Sequence, residues 1–428
     1  MIVNTFPGGG EISTAHIRPH ITATRDAVSR AEILGLLGQA GQLSRSEIAK
    51  RLGLGPATVT AQIRKLMTDG YVRELAADSR AGAGRPRVPV ELIPDAAFVI
   101  GISVRPTSLL AVTMLIDGTI TNAATVDFDP SEAVVSQFCA VVGAQRAALE
   151  HPQRVVAIGI SVSGAVDQAL STVRISTTLN WQDFNLGAEL QRQVNIPVFV
   201  SNDLFALATR EVSFGLGHDK DDFLLLGLGY GVGLGIVNHR KVFGGSGGSS
   251  TEFGHMSVDP QGPLCVCGNR GCLQVYAGLA EMLRNSAIGE AEGTISALKA
   301  ALATDTGELH AFLADIGHRL GRSVGGVVNL LGIGTIMVTG ETTELWDALA
   351  GGFQRGLAES VLNFLRPLDI TIKAWTDAEG AVGAAGLALH NAISLNVPLQ
   401  TWPAHVPPEI QAHQQAPKTS AAESPHSI

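Results

Sequence analysis

Residues 252–272 read EFGHMSVDPQGPLCVCGNRGC. Three of the chain's four cysteines, Cys265, Cys267 and Cys272, fall within eight residues, and His255 lies ten residues before the first of them. Such a cluster reads as metal binding before it reads as disulfide bonding. Zinc takes four nitrogen or sulfur ligands at the corners of a tetrahedron, and His255, Cys265, Cys267 and Cys272 make up that set. Gly262, Gly268 and Gly271 let a short loop wrap around an ion. Four protein ligands leave no open position, so the expected zinc is structural, not catalytic. The plainer alternative is a set of buried free thiols, and it must explain why three thiols and an imidazole crowd one loop. The fourth cysteine, Cys139 in VSQFCAVVG, reads as a core residue.

Upstream of this loop, Asp222 to Phe243 reads as a strand, a glycine-rich turn (Gly229-Tyr230-Gly231-Val232-Gly233-Leu234-Gly235), a second strand and a short return strand. Ala97 to Phe128 has the same order, with an Asp-Gly turn before its third strand. Helical pattern follows each block. Two related βββ units with trailing helices predict an α/β fold that is duplicated, with a cleft between two lobes. Between the blocks lie SVSGAVD (161–167), TTLNW (177–181) and VSNDLFALATRE (200–211). Taken alone, Asn202-Asp203 in the last of these reads as a turn or a helix cap.

The front of the chain has a different character. Ile33, Leu34, Leu36 and Leu37 give a first helix a buried stripe. Ser44 and Glu47 form a capping box for a second, with Ile48, Ala49 and Leu52 on its inner face. Gly53-Leu54-Gly55 makes a turn, and Pro56 suits the first position of a third helix, which runs to about Asp69. Val59, Ile63 and Leu66 share its inner face. The outer face carries Ala57, Thr60, Ala61, Arg64, Lys65 and Thr68. Small residues let a helix sit deep in the major groove, Thr and Ala touch thymine methyls, and Arg reaches guanine or phosphate. Tyr71–Glu74 and Val88–Leu92 read as two wing strands around DSRAGAGRPR, whose Arg80, Arg85 and Arg87 suit phosphates or a minor groove. The pattern is a winged helix-turn-helix bound for double-stranded DNA. A protein-docking domain with three helices and a hairpin is the plain alternative.

Charge supports the DNA reading. The 428 residues carry a net charge of −9, which argues against nucleic acid until its distribution is examined. Ile21 to Leu92 holds 11 basic and 7 acidic residues, a balance of +4, and the remainder stands at −13. A basic segment on an acidic body suits a DNA-binding module joined to something else. There is no apolar run of about 20 residues and no secretory h-region, so a cytoplasmic protein without a membrane partner is expected. The domain expectation is a disordered segment 1–20, the DNA-binding domain 21–94, a sensor domain 95–395 with a metal loop at 255–272, and a disordered tail 396–428.

The loop ending at Cys272, the three segments between the β blocks and the winged module ending in a GRP wing loop together resemble the ROK family (repressor, open reading frame, kinase). The resemblance covers about residues 25–392. It implies a two-lobed, actin-like, sugar-kinase-like fold with a sugar site in the cleft, and a dimer or dimer of dimers. It further implies that Asn202 and Asp203 bond sugar hydroxyls, that Glu252 adds a contact, and that His255 ligates zinc with its other nitrogen near the sugar. In kinase members the aspartate at the place of Asp203 is the catalytic base. Gln274 stands where the family commonly has a glutamate that touches sugar. A glutamine adds a donor, so the ligand is expected to offer an extra acceptor such as a phosphate, an N-acetyl carbonyl or a ring oxygen.

The nucleotide side departs from the kinase pattern. Family kinases resemble D-x-G-G-T after the first strand, where this chain has Ser103-Val104-Arg105-Pro106-Thr107. The acid and both glycines are gone, and Pro106 has no N–H for a phosphate. Tyr230 replaces a usual threonine, and Thr339-Gly340-Glu341 places a carboxylate where a glycine-rich turn is usual. The expectation is a sugar-responsive regulator, a repressor in sense, that does not phosphorylate its sugar. The alternative is an ATP-dependent sugar kinase with a DNA-binding head, with Asp203 as its base.

Overall fold

The structure is a computed structural model and describes residues 25–76, 88–245, 252–286, 294–305 and 307–394. The expected terminal segments 1–20 and 396–428, and the wing arginines Arg80, Arg85 and Arg87, lie outside the described residues.

The front module is built from α1 (Arg25–Ala40), β1 (Gln42–Ser44), α2 (Arg45–Leu52), α3 (Pro56–Thr68), β2 (Val72–Glu74) and β3 (Pro89–Leu92). Ser44 caps α2 with Glu47 in a reciprocal capping box, as the sequence predicts. Gly53 ends α2 at φ 63°, the left-handed conformation that glycine adopts without steric cost. Ile33, Leu34, Ile48, Val59, Ile63 and Leu66 are buried together. The sheet has the order β1-β3-β2, antiparallel throughout. Its first strand, three residues long, is too short to show alternation and escapes the sequence reading.

The first lobe contains β4 (Phe98–Val104), β5 (Ser108–Leu115), β6 (Ile120–Asp127), α4 (Val134–Ala147), β7 (Val155–Val162), a small sheet of β8 (Ala165–Asp167), β9 (Thr172–Ser176) and β10 (Trp181–Phe184), then α5 (Leu186–Val194), β11 (Val198–Asn202) and α6 (Asp203–Phe214). The second contains β12 (Phe223–Leu228), β13 (Val232–Asn238), β14 (Lys241–Val242), α7 (Gln274–Ala277), α8 (Leu279–Asn285), α9 (Ile295–Leu302), α10 (Glu308–Leu331), β15 (Thr335–Thr339), α11 (Trp346–Ser360), β16 (Asp369–Ile372) and α12 (Glu379–Ser394). The main sheets run β11-β7-β4-β5-β6 and β14-β13-β12-β15-β16. Counted within each lobe, the strand order is the same: third, second, first, fourth, fifth. The first three strands pair antiparallel and the last two join in parallel. The echo between the two βββ blocks is therefore a repeated topology.

The last helix returns to the first lobe. Gly101 of β4 and Gly159 of β7 are register partners. A Cβ at Gly101 would lie 2.0 Å from the Ala381 carbonyl oxygen, and one at Gly159 would lie 1.9 Å from that of Ala384. The missing side chains are what let α12 lie directly on the sheet. A charge cluster then ties α12 to α6. Lys373 and Arg210 reach Glu211 at 2.9 and 2.6 Å, and Lys373 also pairs with Glu379. Burial pushes the Glu211 carboxyl up, but the two cations outweigh it and leave its pKa lowered.

Helix α1 packs against α6 and α12. A Cβ at Gly35 would come 2.7 Å from the Ser213 carbonyl oxygen at the end of α6. The apolar core of the front module therefore runs on into that of the first lobe, from Ile33 through Val99 to Leu389.

Candidate ligand cleft and metal centre

The His255, Cys265, Cys267 and Cys272 group stands on a loop between β14 and α7. Gly268 and Gly271 adopt φ values of 90° and 62°, turning the chain back on itself. Cys265 N–H donates to the Asn269 carbonyl at 2.7 Å, which closes the knuckle. The donor atoms of His255, Cys265, Cys267 and Cys272 all lie within 4.8 Å of one another. Cys265 Sγ is 3.5 Å from His255 Nδ1, and Cys267 Sγ is 3.6 Å from Cys272 Sγ. Tetrahedral zinc with bonds near ~2.3 Å to sulfur sets ligand edges of about 3.5–3.8 Å. The spacing and the donor set both fit a four-coordinate ion.

His255 faces two ways. Nδ1 points into the thiol group, and Nε2 lies 4.0 Å from Glu252 Oε2. Glu252 in turn lies near enough to Asp203 for its charge to raise the Asp203 pKa. The loop and the start of α6 thus meet at one place in the cleft.

Asn202 is the N-cap of α6. Its Oδ1 accepts from Leu204 N–H at 2.9 Å and Phe205 N–H at 3.3 Å, and its Nδ2 donates to the Gly164 carbonyl at 3.0 Å. The cap reading therefore describes what Asn202 does here, and its amide also bonds the neighbouring Asp203 carboxylate. Asp203 is the first residue of α6, and its Oδ1 accepts from Leu204 N–H at 2.8 Å. Burial lifts its carboxyl to about 6, with the Leu204 bond opposing and Glu252 adding to the rise. Among the described residues no cation pairs with it.

Gln274 has a task the sequence does not reveal. Its Oε1 accepts from Val232 N–H at 2.9 Å and its Nε2 donates to the Tyr230 carbonyl at 3.0 Å. The amide brackets the glycine-rich turn from both sides. A carboxylate has no proton for the Tyr230 carbonyl, so the turn itself accounts for glutamine at this position. Gln274 also lies against the Glu252–His255 segment, since a Cβ on Gly254 would be 3.1 Å from its Oε1.

The outer face of α3 is as expected. Ala57, Thr60, Ala61, Arg64 and Lys65 are all exposed. Thr60 Oγ1 bonds the Pro56 carbonyl at 2.8 Å and Lys65 pairs with Asp69 at 2.7 Å. Arg64 has no partner among the described residues. Among those residues no helix is long and apolar enough to cross a membrane.

Residues 100–391 match the model of the ROK family. The chain belongs to the ROK family. Residues 29–73 match a winged helix-turn-helix DNA-binding model, so this member carries a DNA-binding head. The xylose repressor of Bacillus subtilis is 28% identical over 297 residues, 67% of this chain and 75% of the relative. The DNA-binding transcriptional dual regulator NagC of Escherichia coli is 26% identical over 375 residues, 84% of this chain and 92% of the relative. Among solved structures, a ROK family transcriptional regulator described as a homologue of the E. coli MLC protein shares the fold. Its TM-score is 0.74 at 24% identity, over 88% of this chain and 99% of that one. A ROK glucokinase from Streptomyces griseus, in complex with glucose and AMPPNP, has a TM-score of 0.60 at 26% identity, over 68% of this chain and 99% of that one.

Between β4 and β5, this ROK chain makes a tight turn. Arg105 N–H donates to the Ser108 carbonyl at 2.9 Å, and Pro106 has no N–H. Arg105 turns its guanidinium to Asp377, reaching the backbone carbonyl at 3.1 Å and Oδ1 at 3.5 Å. Neither this partner nor the contact of Gly35 with α6 is signalled in the sequence, because both join residues far apart in the chain.

Proposed function

We propose that this ROK protein is a sugar-responsive DNA-binding regulator, a repressor in sense, whose kinase-like body senses a sugar or sugar derivative without phosphorylating it. The names of its relatives, a xylose repressor and an N-acetylglucosamine repressor, favour that reading. The observation that carries it is the course of α6. This helix begins with Asp203 in the cleft and ends at Ser213–Phe214 beneath Gly35 of α1. A ligand that draws Asp203 and Glu252 together moves one end of a rigid rod whose other end supports the DNA-reading module. Such a ligand acts only through its differential affinity for the two arrangements.

Sugar hydroxyls are donors, and two neighbouring carboxylates without a cation suit them. Asn202 adds an amide donor and His255 an imidazole nitrogen. The His/Cys₃ group is read as a structural zinc site that holds His255 and Glu252 in place. Two copies, in a dimer or tetramer, would present α3 to operator half-sites about 34 Å apart or a multiple of that, with Ala57, Thr60, Ala61, Arg64 and Lys65 in the groove and Arg85 and Arg87 on the wing. Operator binding implies a cytoplasmic setting.

One observation favours the kinase alternative: a carboxyl raised to about 6 suits a general base as well as a hydroxyl acceptor. The test is operator binding by fluorescence anisotropy, on fragments selected from genomic DNA, with xylose, glucose, N-acetylglucosamine and their phosphates. We expect one of them to change operator Kd at least tenfold without ATP. Gly35→Val should leave the sugar Kd within twofold and remove that change. Sugar phosphate formed from ATP, and abolished by Asp203→Ala, would establish the kinase instead.

A further inference from the structure

The glycine-rich turn between β12 and β13 is not an empty cradle. Glu341, just beyond β15, accepts a hydrogen bond from Tyr230 N–H at 3.1 Å through Oε1. The same oxygen lies so close to the turn that a Cβ on Gly229 would be 3.2 Å away. Gly340 makes the approach possible. Its φ is 110°, and a Cβ there would lie 2.1 Å from the Leu228 carbonyl oxygen. Backbone N–H groups in a glycine-rich turn are what such turns offer to anions, and here one is given to a carboxylate of the same chain.

The opposite lobe supplies the countercharge. Arg105 follows β4 and is held by Asp377. Burial raises the Glu341 carboxyl, while the Tyr230 bond and the charge of Arg105 lower it. Asp377 and Glu344 also face Glu341 and raise it, although Glu344 is paired with Lys299 at 2.9 Å. Gln274 fixes the turn from its other side.

We propose that Glu341 is a built-in anion: its carboxylate occupies the phosphate place of the glycine-rich turn, and Arg105 across the cleft balances it. The site thereby excludes nucleotide phosphates. This rests on the reading of the body as a sensor without kinase activity.

Inorganic pyrophosphate is the probe, titrated by calorimetry into the full-length protein. Wild type should show at least tenfold weaker binding than Glu341→Gly, which frees the Tyr230 N–H and leaves Arg105 in place. Glu341→Gln keeps an acceptor for Tyr230 and should stay as weak as wild type. Adding Arg105→Gln to Glu341→Gly should return binding to the wild-type level. If Glu341→Gly fails to fold by circular dichroism, Glu341→Ala takes its place with the same expectation. Equal binding by wild type and the folded Gly or Ala variant, strong or absent, overturns the proposal. So does a double variant that binds as tightly as the single one. Sugar titrated into wild type without nucleotide separates the two ideas. Absence of sugar binding there defeats the sensor reading and leaves the pyrophosphate result to stand or fall by itself.

Discussion

The two sides of the cleft differ in how their polar groups are satisfied. On one side Glu252 acts on Asp203, no cation pairs with Asp203 among the described residues, and His255 Nε2 lies 4.0 Å from Glu252. On the other side Glu341 takes the Tyr230 N–H, Arg105 takes Asp377, and both ends of the Gln274 amide are engaged. A partly buried carboxylate with hydrogen bonds but no cation, as Asp203 is, raises the free energy of the fold. A chain keeps such groups where a ligand will satisfy them. A site no longer used for a ligand closes on itself through its own side chains. This contrast, more than the loss of any one motif residue, favours a body that has kept its sugar side and filled its nucleotide side.

The largest expected effect comes from the loop that supports the Asp203–Glu252 side. Cys272 is buried, with no exposed surface, while Cys267 is exposed. Cys272→Ser removes a ligand and leaves a hydroxyl among three donors. It should lose the bound zinc equivalent, measured by metal analysis of the purified protein. Sugar affinity should fall at least ~100-fold, since His255 and Glu252 both depend on the loop. Operator binding without sugar should change little, because Cys272 belongs to a different buried cluster from the core that supports α3. Equal loss of both activities would break the contrast.

Asp203 gives the next effect, and here function and stability oppose each other. Its folded pKa of about 6 lies above the ordinary carboxyl value. Between the two values the folded state binds more protons than the unfolded one, so stability falls as pH rises through that window. The full penalty applies above about pH 6, and a shift of some two units corresponds to at most about 3 kcal/mol. Asp203→Asn should therefore melt a few degrees higher than wild type at pH 7.5, with the gap closing towards pH 4. Its Oδ1 can still accept from Leu204. Its sugar affinity should fall about 10- to 100-fold, the usual effect of losing a hydrogen bond to a charged group. A variant that loses affinity and gains no stability would show that the acid is already satisfied in the free protein.

Much of this was legible in the sequence, and the exceptions share a cause. The capping box at Ser44, the inner stripe of α3, the two βββ blocks and the His/Cys₃ set are all local patterns, and each appears where it is expected. Gly35 was not legible. Within a helix, glycine reads as a weak position, and only the backbone of Ser213 across the interface explains it. The return of α12 to the first sheet is hidden for the same reason, since Gly101 and Gly159 are separated from Ala381 and Ala384 by more than two hundred residues. Gln274 was legible as a departure from a family pattern but not as a bracket. Its partners are backbone groups, which leave no mark in a sequence.

Gln274 also supplies the smallest expected effect and the finest test of the contrast. Gln274→Glu keeps the acceptor for Val232 N–H and removes the donor to the Tyr230 carbonyl. The new carboxylate would face that carbonyl at about the present 3.0 Å, oxygen against oxygen. Losing the bond and gaining the repulsion should cost about 1–2 kcal/mol, seen as a small drop in the urea midpoint with an unchanged slope. The turn that holds Glu341 should loosen, while the Oε1 that faces Gly254, beside His255, is kept. The ranking of sugars by calorimetry should therefore stay as it is in wild type. If the ranking changes while stability does not, Gln274 belongs to the sugar side after all. The boundary between the filled and unfilled halves of the cleft would then have to be redrawn around it.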